Sequence, residues 1–91
     1  MEYVYHVLYH PEPEGGYTVI VPSLPGCVTY GKTLRQAQAM AQEAISLYVA
    51  SLKARREPVP DDEMTLSSSV RIRAPRRRHL RYASKTAAKV A

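Results

Sequence analysis

Several residue types and patterns that are scarce in this 91-residue chain restrict its class. It has one cysteine, Cys27, so no intramolecular disulfide can form, and no metal-binding pattern takes its place. Its apolar runs are far shorter than the roughly 20 residues that span a bilayer. Met1 to His6 lack the basic start and continuous apolar run of a signal peptide. We therefore expect a cytoplasmic protein with no membrane segment, metal or cofactor.

The chain is long enough for one compact domain. A domain this small buries only about 60% of the surface that its unfolded chain exposes, so its stability is marginal. Without a disulfide or a metal, association with further copies is the remaining reinforcement. The sequence therefore predicts a homo-oligomer, either a dimer or a tetramer.

Acidic residues are absent from the C-terminal quarter of the chain. Residues 1–67 hold all eight acids and five of the thirteen basic residues, a net −3, whereas residues 68–91 hold the other eight, a net +8. We divide the chain there into an α+β core and a basic C-terminal strand and tail. The tail is expected to bind DNA or RNA by neutralising phosphates, or else it only aids solubility. The expected nucleic-acid-binding residues are Arg71, Arg73, Arg76, Arg77, Arg78, Arg81 and Lys85.

Alternating apolar and polar residues, rich in aromatic and β-branched types, indicate β-strands in the first third of the chain. Three strands are predicted, at residues 3–10, 17–21 and 27–30. The intervening Pro-Glu-Pro-Glu-Gly-Gly sequence favours a hairpin loop, and Leu24-Pro25-Gly26 favours a tight turn. The three strands should form an antiparallel meander.

A helix is predicted from Thr33 to about Arg56. The Thr33 hydroxyl can accept the Gln36 N–H while the Gln36 side chain reaches back, as in a capping box. Apolar residues then recur at three- and four-residue spacing: Leu34, Ala37, Ala41, Ala44, Tyr48 and Leu52. Pro58 and Pro60 prevent continuation, and the small alanines let the helix lie close to a sheet.

Residues 64–74 alternate again and predict a fourth strand. Val70 and Ile72 fall on one side of it, Arg71 and Arg73 on the other. Pro75 ends this strand. The predicted fold is therefore α+β, with the order β-β-β-α-β and the helix on one face of the sheet.

The seven tyrosines are the only aromatic residues, since phenylalanine and tryptophan are absent. Five of them lie on the three predicted strands: Tyr3, Tyr5, Tyr9, Tyr17 and Tyr30. If several point away from the helix, they form an amphipathic surface suited to protein association. Alternatively, they fill the core in place of phenylalanine. The sequence leaves both interpretations open.

Histidine and cysteine offer little for chemistry. His6 and His10 share a face of the first predicted strand but stand about 13 Å apart at roughly 3.3 Å per residue, too far to share one ion within a chain. Cys27 has no evident activating base or helix N-terminus beside it. We interpret Cys27 as a small buried hydrophobic residue next to the turn.

An ordered set of short motifs resembles the HicB-like family, antitoxins of type II toxin–antitoxin systems. The motifs span about residues 3–60: Gly15-Gly16-Tyr17, Pro22-Ser23-Leu24-Pro25-Gly26-Cys27, Gly31, Thr33, Ala37, Glu43-Ala44-Ile45, Pro58 and Pro60. The resemblance implies a partial ribonuclease-H-like fold that dimerises or forms higher oligomers. It also implies a partner, a small HicA-like toxin that cleaves mRNA and is masked when the antitoxin binds it.

The sequence departs from that family at its C-terminal end. Such antitoxins usually add a complete DNA-binding unit, whereas residues 70–75 and 76–90 are similar only to the ribbon and first helix of a ribbon-helix-helix. The chain ends before a second helix. We therefore expect electrostatic binding rather than operator recognition by a complete module.

A ribonuclease-H-like fold also raises the question of nuclease activity. Two-metal phosphoryl transfer needs carboxylates that converge on Mg²⁺. The predicted strands contain no internal acid, and the predicted helix holds only Glu43 in its interior. We therefore expect no catalytic residue and no enzymatic activity. The resemblance implies an antitoxin-type protein that neutralises a toxin; the alternative is an orphan oligomeric nucleic-acid-binding protein without a toxin.

Overall fold

The computed structural model describes residues 2–75 as a three-stranded antiparallel sheet with one helix on one face. The elements, in chain order, are β1 (Leu8–Pro11), β2 (Tyr17–Ile20), β3 (Val28–Gly31) and α1 (Leu34–Ala54). The strand order β1-β2-β3 is a meander, so β1 and β3 are the edge strands of the sheet as far as residues 2–75 form it. The predicted α+β class, the meander and the helix are confirmed.

The strand register sorts the side chains onto two faces of the sheet. Tyr9 pairs with Val19 on the side that α1 covers, and Val19 is fully buried there against Ala37 and Ala41. The adjacent row pairs Leu8, Ile20 and Val28 across the three strands. Because side chains alternate along a strand, this second row points away from the helix. All three of its members are exposed.

The buried residues form two neighbouring groups between the sheet and α1. One comprises Val21, Leu24, Cys27 and Leu52; the other comprises Val19, Ala37 and Ala41. In the second group, the residues that α1 contributes are both alanines. Their small side chains let the helix lie close to the sheet. The predicted role of the alanines is therefore confirmed for Ala37 and Ala41, while Ala44 is only partly buried.

The helix begins as the capping pattern predicts. The Gln36 N–H donates to the Thr33 hydroxyl at 3.0 Å, and the Lys32 N–H donates to the Gln36 side-chain carbonyl at 2.6 Å. The Gln36 side chain thus reaches one residue beyond the usual capping-box partner. At the other end Arg55 is the C-cap, and Arg56 adopts a left-handed φ of 57°.

The predicted fourth strand is wrong for the isolated chain. Residues 65–75 form neither strand nor helix, so the order within residues 2–75 is β-β-β-α. Leu66 is 93% exposed and Ile72 80% exposed. Alternation along a sequence indicates a segment with two different faces, but it does not show which strand, if any, that segment pairs with.

The first strand is shorter than predicted, because its N-terminal half bonds with a loop instead of a strand. The Val4 carbonyl accepts the Asp62 N–H at 2.8 Å, and the His6 N–H donates to the Asp62 carboxylate at 3.0 Å. The Asp62 side chain thus accepts the His6 N–H, which the carbonyl of a neighbouring strand would otherwise accept. The ladder with β2 starts only at Leu8.

Candidate partner-binding surfaces

Asp62 fixes the loop that follows α1. It is the buried polar residue of the described chain, 5% exposed, and its carboxylate accepts hydrogen bonds from the Ser23 hydroxyl and the His6 N–H. The Tyr5 hydroxyl donates to the Pro60 carbonyl at 2.6 Å in the same loop. These bonds connect the loop to the N-terminal segment and to the β2–β3 turn. They determine where residues 66–75 leave the core.

The same bonds act on the charge of Asp62. The hydrogen bond from Ser23, followed by the one from the His6 backbone, lowers the pKa of Asp62 against the opposing effect of burial. The His6 ring is near enough to add a smaller effect in the same direction. Asp62 therefore keeps its negative charge more strongly in the folded chain than in the unfolded one.

Replacing Asp62 with asparagine should destabilise the fold at neutral pH and weaken its acid sensitivity. A carboxylate with a depressed pKa stabilises fully above its ordinary value of 3.8, and this stabilisation is lost as the pH falls through the lower folded value. Urea midpoints measured from pH 7 to pH 2 should therefore fall less steeply for Asp62→Asn than for wild type. The exposed neighbour variant Glu63→Gln serves as the control. Parallel acid profiles for wild type and Asp62→Asn would contradict this role.

Residues 66–75, which we call the exit segment, continue from this loop. The His6 Nε2–H donates to the Thr65 carbonyl at 2.7 Å, so the segment starts beside the N-terminal part of the sheet. Arg71 and Arg73 lie exposed on it. Arg76, Arg77, Arg78, Arg81 and Lys85 lie outside the described residues. The nucleic-acid contacts assigned to all seven residues stay a prediction.

The sheet side opposite α1 forms an exposed apolar surface, which we call the open face. It consists of Leu8, Ile20, Val28 and Tyr30, which are 54%, 38%, 57% and 46% exposed. The first three are cross-strand neighbours and therefore make one continuous row. Contiguous apolar surface on a small domain marks an interaction site more often than scattered apolar residues do.

A groove of about 650 Å³ runs between α1 and the N-terminal segment on the other side of the sheet. It exists because α1 packs mainly over β3 and β2. Tyr3, Tyr5 and Tyr9 line one wall, and Ile45 and Lys53 belong to the other. The Lys53 ammonium lies 5.3 Å from the Tyr3 ring centroid, within cation–π range.

The strand tyrosines neither form a surface away from the helix nor fill the core completely, the two arrangements that the sequence left open. Tyr3, Tyr5, Tyr9 and Tyr17 are half-buried and face the helix side, so they do not form a surface away from the helix. Tyr30 alone among the strand tyrosines belongs to the open face, where its hydroxyl donates to the Gly15 carbonyl at 3.0 Å.

The residues that could carry chemistry lie apart from one another. No group of three histidine, cysteine or acidic side chains among residues 2–75 is placed to hold a metal ion. Cys27 is buried, as predicted, and its burial raises the thiol pKa, which makes it a poor nucleophile. Glu43 is exposed on α1. Within the same residues, no helix combines the length and apolar character needed to cross a membrane.

These features define a class: a small α+β domain that presents exposed apolar surfaces. The family model of the HicB-like antitoxin of bacterial toxin–antitoxin systems matches residues 5–73. The chain belongs to this HicB-like antitoxin family. The match covers the core and the exit segment up to Arg73 and does not extend to the later basic residues.

Individual relatives agree with the family match. A UPF0150 protein of Thermoplasma acidophilum is 45% identical over 58 residues, which are 64% of this chain and 84% of the relative. A UPF0150 protein of Synechocystis is 42% identical over 62 residues, 68% of this chain and 78% of the relative. An uncharacterised 14.9 kDa protein of Haemophilus phage HP1 is 42% identical over 45 residues, half of this chain and 34% of the relative.

Proposed function

We propose that this protein is an antitoxin that binds and neutralises a HicA-like, mRNA-cleaving toxin in the cytoplasm. The observation that carries the proposal is the family match over residues 5–73, which covers every described strand and the helix. An antitoxin of this kind acts by masking its partner. It therefore needs surface rather than catalytic groups, and exposed surface is what residues 2–75 offer.

Charge supports the same partner. A protein that cleaves mRNA must approach a polyanion and needs cationic surface to do so. The core, residues 1–67, carries a net −3, and all of its acids except Asp62 are at least partly exposed. An acidic core is electrostatically complementary to a basic toxin, which favours fast encounter and correct pairing.

The basic tail gives the protein a second binding capacity. Eight basic residues and no acid lie within residues 68–91, and the first two, Arg71 and Arg73, are exposed. We infer that the tail contacts DNA or RNA through phosphates, as electrostatic contacts do without base recognition. An oligomer would bring several tails onto one nucleic acid and raise the apparent affinity through multivalency.

Toxin neutralisation is directly measurable. The full chain, added to a purified HicA-like toxin, should stop cleavage of an mRNA once the two proteins are near stoichiometric. Compared with toxin alone at the same salt concentration, more of this chain should be needed to stop cleavage as salt screens the charge pairing. Cleavage is followed on a labelled transcript, with a tail variant, Arg76→Gln with Arg77→Gln, as a control that should still neutralise.

The alternative makes a different prediction in the same assay. An orphan nucleic-acid-binding protein would slow cleavage only by covering the transcript, so its effect would follow transcript concentration rather than toxin concentration. It would also be weaker in the tail variant, which has lost two of the eight tail cations. That pattern would reject the antitoxin function and leave the nucleic-acid function in place.

A further inference from the structure

The exit segment carries an apolar side that residues 2–75 leave uncovered. Leu66, Val70 and Ile72 occur at even spacing along it and are 93%, 77% and 80% exposed. Within residues 2–75, no hydrogen bond involves residues 66–75. A segment whose apolar side chains are exposed along one side is suited to packing that side against another apolar surface.

The open face is likewise an uncovered apolar surface. Leu8, Ile20 and Val28 form an apolar row that nothing in residues 2–75 covers. The exit segment begins near this row, because Thr65 is bonded to His6, which lies two residues before Leu8, the first residue of β1. The segment nevertheless does not fold back onto the open face of its own chain.

We propose that the exit segment of one copy packs against the open face of a second copy, and that the second copy does the same in return. The contact is isologous, so both copies use the same two surfaces and the dimer closes. The inference extends the homo-oligomer expectation within the proposed function and is independent of toxin binding.

The sizes of the two surfaces agree with such a dimer. Three apolar side chains of the segment and three of the open face would be buried per copy, at roughly 60–120 Å² each. With the backbone between them, this approaches the about 800 Å² per partner of a standard interface. Arg71 and Arg73 alternate with Val70 and Ile72, so they face away from the contact and stay available to an anionic partner.

The proposal predicts that variants in the two surfaces complement each other. The segment variant carries Leu66→Thr and Val70→Thr, and the face variant carries Leu8→Thr and Val28→Thr. Each alone loses both reciprocal contacts of its dimer, and its dimer dissociation constant should rise at least about 100-fold. A mixed dimer of the two variants has one intact contact. In it, the unchanged segment of the face variant packs against the unchanged open face of the segment variant.

Light scattering after gel filtration checks this at a concentration where wild type is a dimer. We expect monomers for each variant alone, a dimer-mass species for the mixture, and a dimer for the control Ser67→Thr with Ser69→Thr. Circular dichroism confirms that each variant is folded. A face variant that stays dimeric would show that segments pair with each other. A segment variant that stays dimeric would show that faces pair with each other, and either result overturns the proposal.

Wild-type behaviour separates this inference from the proposed function. A wild-type monomer at high micromolar concentration would reject both the exchange and the expected homo-oligomer. Toxin neutralisation is measured separately, so it can stand while the exchange fails. A dimer in wild type that neither double variant disturbs would reject the exchange alone.

Discussion

Replacing Gly31 with alanine should destabilise the fold more than any other single methyl addition in the sheet. A Cβ at Gly31 would lie 2.4 Å from the Ala37 nitrogen and 2.5 Å from the Ala37 Cα. Both are backbone atoms of α1, so no side-chain rotation relieves the contact, and the helix itself must move. Overpacking typically costs 1–3 kcal/mol, and we expect about 3 kcal/mol or more here. Urea denaturation followed by circular dichroism measures the loss.

Two controls make this expectation specific. Lys32→Ala changes the next residue, which is exposed and uses only its backbone in the helix cap, and should leave the midpoint nearly unchanged. Ala37→Gly in the Gly31→Ala background removes the Ala37 methyl but not the backbone atoms. It should restore little of the loss. Full recovery would mean that the methyl groups, rather than the backbone, set the distance between helix and sheet.

Local chemistry explains why the helix and the three strands were predictable. Thr33, Gln36 and the apolar spacing act within a few residues. The turn at Pro25 and Gly26 is likewise closed by a local bond, from the Cys27 N–H to the Leu24 carbonyl. The close approach at Gly31 was not predictable. The sequence shows a glycine at a strand end, but not that the backbone of Ala37 occupies the space beside it.

Contacts between distant segments account for what the sequence did not reveal. Asp62 occurs within an Asp-Asp-Glu run that reads as a solvated loop, yet it is buried and bonded to Ser23 and His6, which lie 39 and 56 residues away. Its neighbours Asp61 and Glu63 are exposed. No local pattern separates the three acids. The prediction of a fourth strand was wrong for a related reason. Alternation gives a segment two different faces, but it does not show which strand the segment pairs with.

The exit segment joins the acidic core to the basic tail. It starts at a loop fixed by a buried carboxylate and continues toward residues in which every charged side chain is basic. If its apolar side is buried between copies, Arg71 and Arg73 are displayed on the outside of a closed dimer. The two tails would then start from one rigid interface, which favours simultaneous contact with a single nucleic acid.

Neutralising the tail should remove most of the nucleic-acid affinity. Each phosphate contact contributes a slope of about −0.9 to the dependence of log affinity on log salt, so contact by about half of the eight tail cations gives about −3 to −4 per copy. Arg76→Gln, Arg77→Gln, Arg78→Gln and Arg81→Gln together should about halve that slope and weaken binding at least about tenfold at 50 mM salt. Fluorescence anisotropy with mixed-sequence DNA and RNA oligonucleotides, titrated at several salt concentrations, measures both quantities.

A second variant loses the same number of positive charges, but from the core. It tests whether the position of the cations or the net charge of the chain sets the nucleic-acid affinity. Its four substitutions are Lys32→Gln, Arg35→Gln, Lys53→Gln and Arg56→Gln, all at exposed residues. Because counterions are released only where cations touch phosphate, this variant should keep the wild-type slope and lose affinity only slightly, through longer-range repulsion that salt screens. If the two variants weaken binding equally, net charge rather than the position of the cations sets the affinity. If the tail variant binds as tightly as wild type, the tail contributes only solubility. Either result rejects the phosphate contacts assigned to the tail.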